Sequence, residues 1–276
     1  MTVEMTPGVL LDVLTQLEEA AHEMDSTLRQ AASSVTIGRH GATAAGFYAP
    51  SGSLIIGGRE SHPLLLEAAG EALRYLADQQ SKAGRKFAPD ELYWTNDPRC
   101  NAAGLEDLVL ASPMTRNGEV VAFVTLTATH VALGRASLAS VHSLRREGLI
   151  LPWSRLDHSS TMRGEMLEVL AANTETPEEF LLDLQAQIHS LWLGQRVMEG
   201  LVAQPGLEII ARMRDMLDTG AGRALEAILR KLDPGGAEGH AGPFTVRITR
   251  QQDGCGVWVE VKDGGFHAPT PALARA

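Results

Sequence analysis

The sequence predicts an α+β protein: an antiparallel, β-rich N-terminal region with covering helices, then a helical segment and a C-terminal β-hairpin. Three observations predict it. Residues 35–135 carry short β-prone runs broken by turn signals, of which Asn117-Gly118 is the strongest. Residues 7–34, 63–81 and 176–202 instead repeat apolar side chains every three or four positions. Near the end, FTVRITRQQDGCGVWVEVKDGG alternates around Asp253-Gly254.

Taken in order, Leu10, Val13, Leu14, Leu17, Ala21, Met24 and Leu28 share one face, with Asp12, Glu18, Glu19 and Arg29 between them. That is an amphipathic helix. Ala44–Tyr48 and Ser53–Ile56 flank Pro50-Ser51-Gly52, a turn-forming triplet, and read as a hairpin. A helix follows from Pro63, because proline suits a first helical turn and Leu66, Ala69, Leu73 and Leu76 recur on one side. ELYW, DLVLASPM and EVVAFVTLTATHV supply further strands. A short helix spans 164–172. Thr176-Pro177-Glu178-Glu179 opens a longer one with an N-cap, a first-turn proline and a capping glutamate, and QPG at 204–206 stops it. Another helical stretch, 207–232, is weakened at Gly220 and Gly222.

The predicted organisation is an α+β domain over 1–158, a helical region over 159–232, a glycine-rich linker over 233–243, a hairpin over 244–264 and a tail over 265–276. Two isolated strands are marginal in water, so the hairpin is expected to dock on something.

Composition removes several function classes. The 276 residues hold 34 acidic and 24 basic side chains, a formal charge of -10, scattered and not in blocks. A polyanion-binding surface is not expected, so nucleic acid is not an expected partner. The apolar run EVVAFVTLTATHVAL is interrupted by threonines and a histidine and is too short for a bilayer. MTVEMTPGV carries no basic-plus-apolar leader, and Cys100 and Cys255 lie in no metal-type spacing. The expectation is a cytoplasmic protein with no membrane partner. GRHGA and DTGAGRA are glycine-bearing, but neither has the Gly-x-x-x-x-Gly-Lys-Ser/Thr pattern of a phosphate-binding loop, so ATP chemistry has to come from another chain.

EEAAHEMDSTLRQAA, GRHGATAAGFYAPSGSLI, TNDP, RNGEVVAFV, REGLILPWSRL and ANTETPEEFLLDLQAQIHSLWLGQR, in this order, resemble the hydantoinase B/oxoprolinase family. The Asn96-Asp97-Pro98 turn and the segment 173–196 are the most specific. The resemblance implies a B-type subunit of ATP-dependent hydantoinases, 5-oxoprolinases or ketone carboxylases. It also implies a metal centre built from a His-x-x-Asp after the Asn-Asp-Pro loop and a His-His pair closing a strand.

Matched by position, the first histidine falls on Gly104, the aspartate on Asp107, and the pair on Thr129 and His130. The expected ligands of a divalent metal (Mn, Fe or Zn) are therefore Asp107 and His130, with Glu106 or His142 as recruits. Two donors are fewer than a protein-held metal normally needs. Gly134 matches a family glycine, whereas Arg135 departs from the pattern. The expected catalytic pair, Asn96 and Asp97, would shape the pocket.

Read as residues alone, these positions keep two roles each. Asp107 is a ligand or a turn carboxylate, His130 a ligand or a hydrogen-bonded structural histidine, and Asn96-Asp97 a pocket wall or a tight turn. Arg39 and His40 suit anion contact or plain surface charge. Cys100 is a nucleophile or a bystander, with no adjacent base or basic cluster beyond Arg99 of the kind a reactive thiol needs. Trp153, Trp192 and Trp258 are interface anchors or ordinary core.

The resemblance implies a shortened B-type subunit, inactive alone, working with a larger A-type subunit that binds ATP and with a full-length B-type subunit in a hetero-oligomer. The other reading is a non-catalytic scaffold or regulatory subunit that has lost the metal site.

Overall fold

The computed structural model describes residues 7–40, 42–100, 104–131, 133, 148–156, 165–203, 237–241, 244–251 and 254–261, with isolated residues between 219 and 231. The chain divides into two compact units, 1–213 and 214–276.

The first unit is a six-stranded antiparallel sheet covered on both faces. Its elements are α1 (Pro7–Ala31), β1 (Thr43–Tyr48), β2 (Leu54–Gly57), α2 (Pro63–Lys82), β3 (Leu92–Thr95), β4 (Asp107–Arg116), β5 (Glu119–Thr129), β6 (Ser154–Leu156), α3 (Glu165–Ala172) and α4 (Pro177–Ala203). The strand order is β2-β1-β5-β4-β3-β6. The predicted α+β class is the observed one.

Each predicted element of 7–129 forms where its pattern places it. On α1, Leu17, Met24 and Leu28 are fully buried, and each such side chain contributes about 1.5–3 kcal/mol on leaving water. Pro63 opens α2, whose buried side is Leu65, Ala68, Ala69, Ala72, Leu73 and Leu76. Asn117 (φ 53) and Gly118 (φ 79) both take positive φ between β4 and β5, the backbone that a type I′ hairpin demands and Asn-Gly tolerates.

Side chains alternate across strands, so the sheet sorts its residues into two sets. Val109, Ala111, Phe123 and Tyr48 pack with Ala69 and Leu73 of α2 on one face. Val124 faces α1 and α4, where a Cβ on Gly194 of α4 would collide with Met24 and lie 3.0 Å from Val124 Cγ1. Gly194 is thus where the helix comes closest to the sheet. Asp183 of α4 ties down the end of α1, its Oδ1 accepting from Ser33 N at 2.6 Å and Ser34 N at 3.1 Å.

Two segments take on partners that the sequence did not name. The helix predicted within a separate 159–232 region packs as α4 onto α1, β4 and β5, so 177–203 belongs to the body of the first unit. Its buried Phe180, Leu184, Ile188, Leu191 and Met198 cover the sheet face that α1 leaves open. In the second unit the final hairpin, β8 (Phe244–Gln251) and β9 (Gly254–Val261), gains a third strand, β7 (Ala237–Ala241), drawn from the run read as a linker. Glycine weakens a strand by entropy, yet Glu238 and His240 of β7 find Arg247 and Thr245 across the pair, which offsets that cost. Most of the predicted helix 207–232 and the tail 265–276 lie outside the described residues. No described helix is long and apolar enough to cross a membrane.

Candidate functional site

The loop after β3, the start of β4 and the end of β5 meet at one end of the sheet. Asn96 is fully buried, and its amide is saturated: Nδ2 donates to Leu105 O at 2.8 Å and Leu149 O at 3.0 Å, and Oδ1 accepts from Leu151 N at 2.7 Å. Both of its hydrogens and its oxygen are used on backbone. Asp97 accepts from Arg99 N and Nε, both at 2.9 Å, and from Arg99 Nη2 at 2.7 Å. Burial opposes its ionisation, but the Arg99 bonds outweigh it and hold the carboxyl below the usual range. These contacts build the turn: Asn96 clamps two loops together, and Asp97 is engaged by the guanidinium two residues on.

Asp107 opens β4 opposite Thr129, which closes β5. Thr129 N bonds outward to Ala42 O at 3.1 Å, and the next rung is His130 N to Glu106 O at 2.8 Å. Asp107 and Thr129 are therefore a non-hydrogen-bonded pair, the kind whose side chains come closest. Thr129 Oγ1 donates to Asp107 Oδ1 at 2.6 Å. Burial pushes the Asp107 carboxyl above its usual range, with the Thr129 bond and the nearby charge of His62 acting against the shift. Burial and then the Asp107 charge push Glu106 up as well.

His62 reaches this end of the sheet through the loop before α2, its N donating to Thr43 O at 2.8 Å. Fully buried Asp25 of α1 holds that loop by accepting from Ser61 Oγ, which itself accepts from Ala45 N at 3.0 Å. Nothing in the local sequence around His62 pointed to this placement. Only the Asp25 anchor and the β1 register bring it near Asp107.

His130 is one residue further along and faces the other way. Its ring lies 5.4 Å from that of Phe180, and its Nε2 is 2.8 Å from Gln187 Oε1, both partners on α4. Gln187 Nε2 donates to Leu108 O at 2.9 Å and Leu126 O at 2.8 Å, so both amide hydrogens are spent. Oε1 is then the acceptor and His130 Nε2 carries the proton, which assigns the neutral tautomer through the network. Burial lowers the His130 pKa, against the effect of the Gln187 bond and the Asp183 charge. His130 Nδ1 is buried without a partner among the described residues.

The two expected metal ligands are thus not brought together. Asp107 shares the α2 face with Val109 and Ala111, whereas His130 is committed to α4. The position that does face Asp107 is 129, and it holds threonine. Gly104 is the other neighbour, since a Cβ there would lie 3.2 Å from Asp107 Oδ2. No group of three or more His, Cys, Asp or Glu placed to hold a metal exists among the described residues. The divalent metal implied by the resemblance does not fit one half-buried, proton-favouring carboxyl beside a hydroxyl and a glycine. His142, Gly134 and Arg135 lie outside the described residues.

The remaining candidates separate into core and surface. Cys100 is buried, and burial followed by the Asp97 charge pushes its thiol up to about 11, so it holds its proton at neutral pH. Trp153 is half-buried against the α2-side core, its Nε1 donating to Ala72 O at 3.1 Å. Trp192 is 37% exposed, packs edge-on against His189 and lines an open groove with Asp90, Arg196 and Glu199. Nothing is described of the side chains of His40 and Trp258.

A family model described as hydantoinase B/oxoprolinase matches residues 9–265. The uncharacterized protein MJ0963 of Methanocaldococcus jannaschii is 28% identical over 203 residues, 72% of this chain and 36% of that protein. Among solved structures, the ATP-dependent caprolactamase from Pseudomonas jessenii is similar with a TM-score of 0.73 at 22% identity, over 95% of this chain and 47% of that one. Acetone carboxylase, solved nucleotide-free in work on ATP-dependent acetone carboxylation, gives 0.76 at 14% identity, over 92% and 37%. The chain therefore spans about a third to a half of the length of these three proteins.

Proposed function

The chain belongs to the hydantoinase B/oxoprolinase family, and from that premise we propose that it is a B-type component of an ATP-dependent assembly acting on a cyclic amide or a ketone, inactive alone and contributing fold and contact surface where a metal centre would otherwise stand. The coarse part, a hydantoinase/oxoprolinase/carboxylase-type B domain, follows from the family match and the shared fold.

One observation carries it: the 2.6 Å bond from Thr129 Oγ1 to Asp107 Oδ1. A carboxylate waiting for a cation needs further nitrogen or oxygen donors aimed at the same point. Here the facing position supplies a neutral hydroxyl that donates to the carboxyl, and the nearest imidazole in sequence, His130, is turned to α4. The absence of a phosphate-binding loop pattern supports an A-type partner for nucleotide chemistry, and a full-length B-type partner would supply the metal-centred step.

The test is isolation of the chain with its natural partners, followed by native mass spectrometry and elemental analysis. Co-isolation with larger chains, and no stoichiometric Mn, Fe or Zn on this chain when separated, is the expected result. Stoichiometric metal on the separated chain, lost in Asp107→Ala, overturns the reading.

A further inference from the structure

We infer that the exposed stripe of α4 is a docking surface for a second copy of this chain. The two helices run antiparallel, so that Glu178 meets Arg196, Leu182 meets Trp192 and Gln185 meets His189 on both sides of a two-fold axis. This contact goes beyond the proposed function and does not depend on it.

The stripe is defined by burial. α4 is sunk into the first unit over most of its circumference, and from 178 to 196 only Glu178, Leu182, Gln185, His189, Trp192 and Arg196 are exposed. They follow one another at steps of four, three, four, three and four residues. That is the spacing of a coiled-coil seam, and it runs over about 27 Å of helix. Leu182 and Trp192 keep 51% and 37% exposure. Single exposed apolar side chains are ordinary, but these two stand on one stripe, five residues to either side of position 187.

Symmetry and charge set the register. Turned end over end about the level of residue 187, the stripe pairs with itself: 178 with 196, 182 with 192, and 185 with 189. Each end then places a carboxylate opposite a guanidinium, which can hold it with a bidentate fork. The next layer sets leucine on indole, and the centre sets an amide beside an imidazole, two groups that hydrogen-bond. Among the described residues neither Glu178 nor Arg196 takes part in an ion pair, so both charges are available to the second copy. A slip of one heptad in either direction sets Leu182 against Glu199 or against Gln185 and breaks both ion pairs. Beside Trp192, an open groove of about 470 Å³ bounded by His189, Gln195 and Glu199 gives Leu182 of the second copy a recess to enter. An isologous contact requires such self-complementarity, whereas an unrelated partner does not, and this selects a second copy as the occupant.

The experiment is sedimentation velocity of the full chain at roughly 1–100 μM, the range of a weaker interface. The samples are the natural chain, Glu178→Arg, Arg196→Glu, the two changes combined, and a 1:1 mixture of the single variants. Both positions are exposed, so the variants fold as the natural chain does, checked by thermal unfolding. The natural chain is expected to dimerise. Either single change sets like charges opposite each other twice per dimer and is expected to weaken self-association about tenfold or more. The combined variant and the 1:1 mixture both regenerate two ion pairs, so each is expected to recover to within about threefold of the natural chain. A natural chain that stays monomeric at about 100 μM overturns the inference. So does a dimer that every variant leaves intact, because self-association then lies on another face. Weakening without recovery in the mixture overturns it too, since the two residues then do not face each other. None of these failures touches the proposed function, which is read from metal content and co-isolation with larger chains.

Discussion

Thr129 and His130, consecutive in the chain, serve opposite faces of one sheet: Thr129 Oγ1 donates to Asp107 Oδ1 at 2.6 Å on the α2 side, and His130 Nε2 donates to Gln187 Oε1 at 2.8 Å on the α4 side. Strand alternation makes the consequence unavoidable, because a one-residue step turns a side chain through the sheet. A pair that reads as a single site in sequence divides its work between two cores.

Thr129→Val tests the lock on Asp107. Removing the donor takes one hydrogen bond from a half-buried carboxyl, at a cost of about 1 kcal/mol in urea unfolding at pH 7. Asp107→Asn should be no less stable than the natural chain at that pH, since an amide oxygen still accepts from Thr129.

The same carboxyl sets a pH dependence. Its folded pKa is raised above 3.8, so the folded chain keeps the proton longer than the unfolded one. Its stabilising contribution is present below 3.8 and is lost as pH rises through the folded value. The stability of Asp107→Asn relative to the natural chain should therefore increase from pH 3.5 to neutrality, read from unfolding midpoints across that range.

His130 acts in the opposite sense. Its folded pKa lies below 6.5, so the unfolded chain binds the proton first. Stability attributable to it is intact above 6.5 and is lost as pH falls from there through the folded value. His130→Leu should be destabilised at pH 8, by about 1–3 kcal/mol for the orphaned Gln187 oxygen, yet should lose less on going from pH 7 to 5 than the natural chain does.

Gln187 holds β4, β5 and His130 with one amide. Gln187→Glu keeps the shape but removes the donors to Leu108 O and Leu126 O. A loss of about 2–4 kcal/mol is expected for a buried acid that gives up both donated bonds, although the two carbonyls keep their ladder partners across β4 and β5, checked by thermal unfolding beside Gln187→Ala.

Asn96→Asp should open the loop end of the sheet. The carboxylate cannot donate to Leu105 O or Leu149 O, so hydrogen exchange at 104–107 and 149–151 should accelerate by tenfold or more, the equivalent of about 1.4 kcal/mol of local opening free energy. A protection pattern unchanged by the substitution would show that Asn96 is not the clamp.

Much of the fold was legible because local patterns and tertiary demands agree. Asn117-Gly118 announced its own turn through the positive φ that both residues adopt, and Leu17, Met24 and Leu28 announced the buried side of α1 by their spacing. β7 was not legible: Ala-Glu-Gly-His-Ala has no strand propensity, and its pairing with β8 comes from cross-strand partners that are remote in composition though near in sequence. The membership of 177–203 in the first unit was hidden too, because periodicity identifies an apolar face and not what the face will cover.

The sequence by itself determined the α+β class, the order of the elements over 7–129 and the family, since these rest on short-range periodicity, turn chemistry and residues that match by position. Only the tertiary structure decided which side chains share a site. Register and sheet alternation put 107 and 129 on one face, turned His130 to the other and spent Asn96 on backbone, and such convergence depends on strand pairings between residues about twenty to fifty positions apart, which no local pattern encodes.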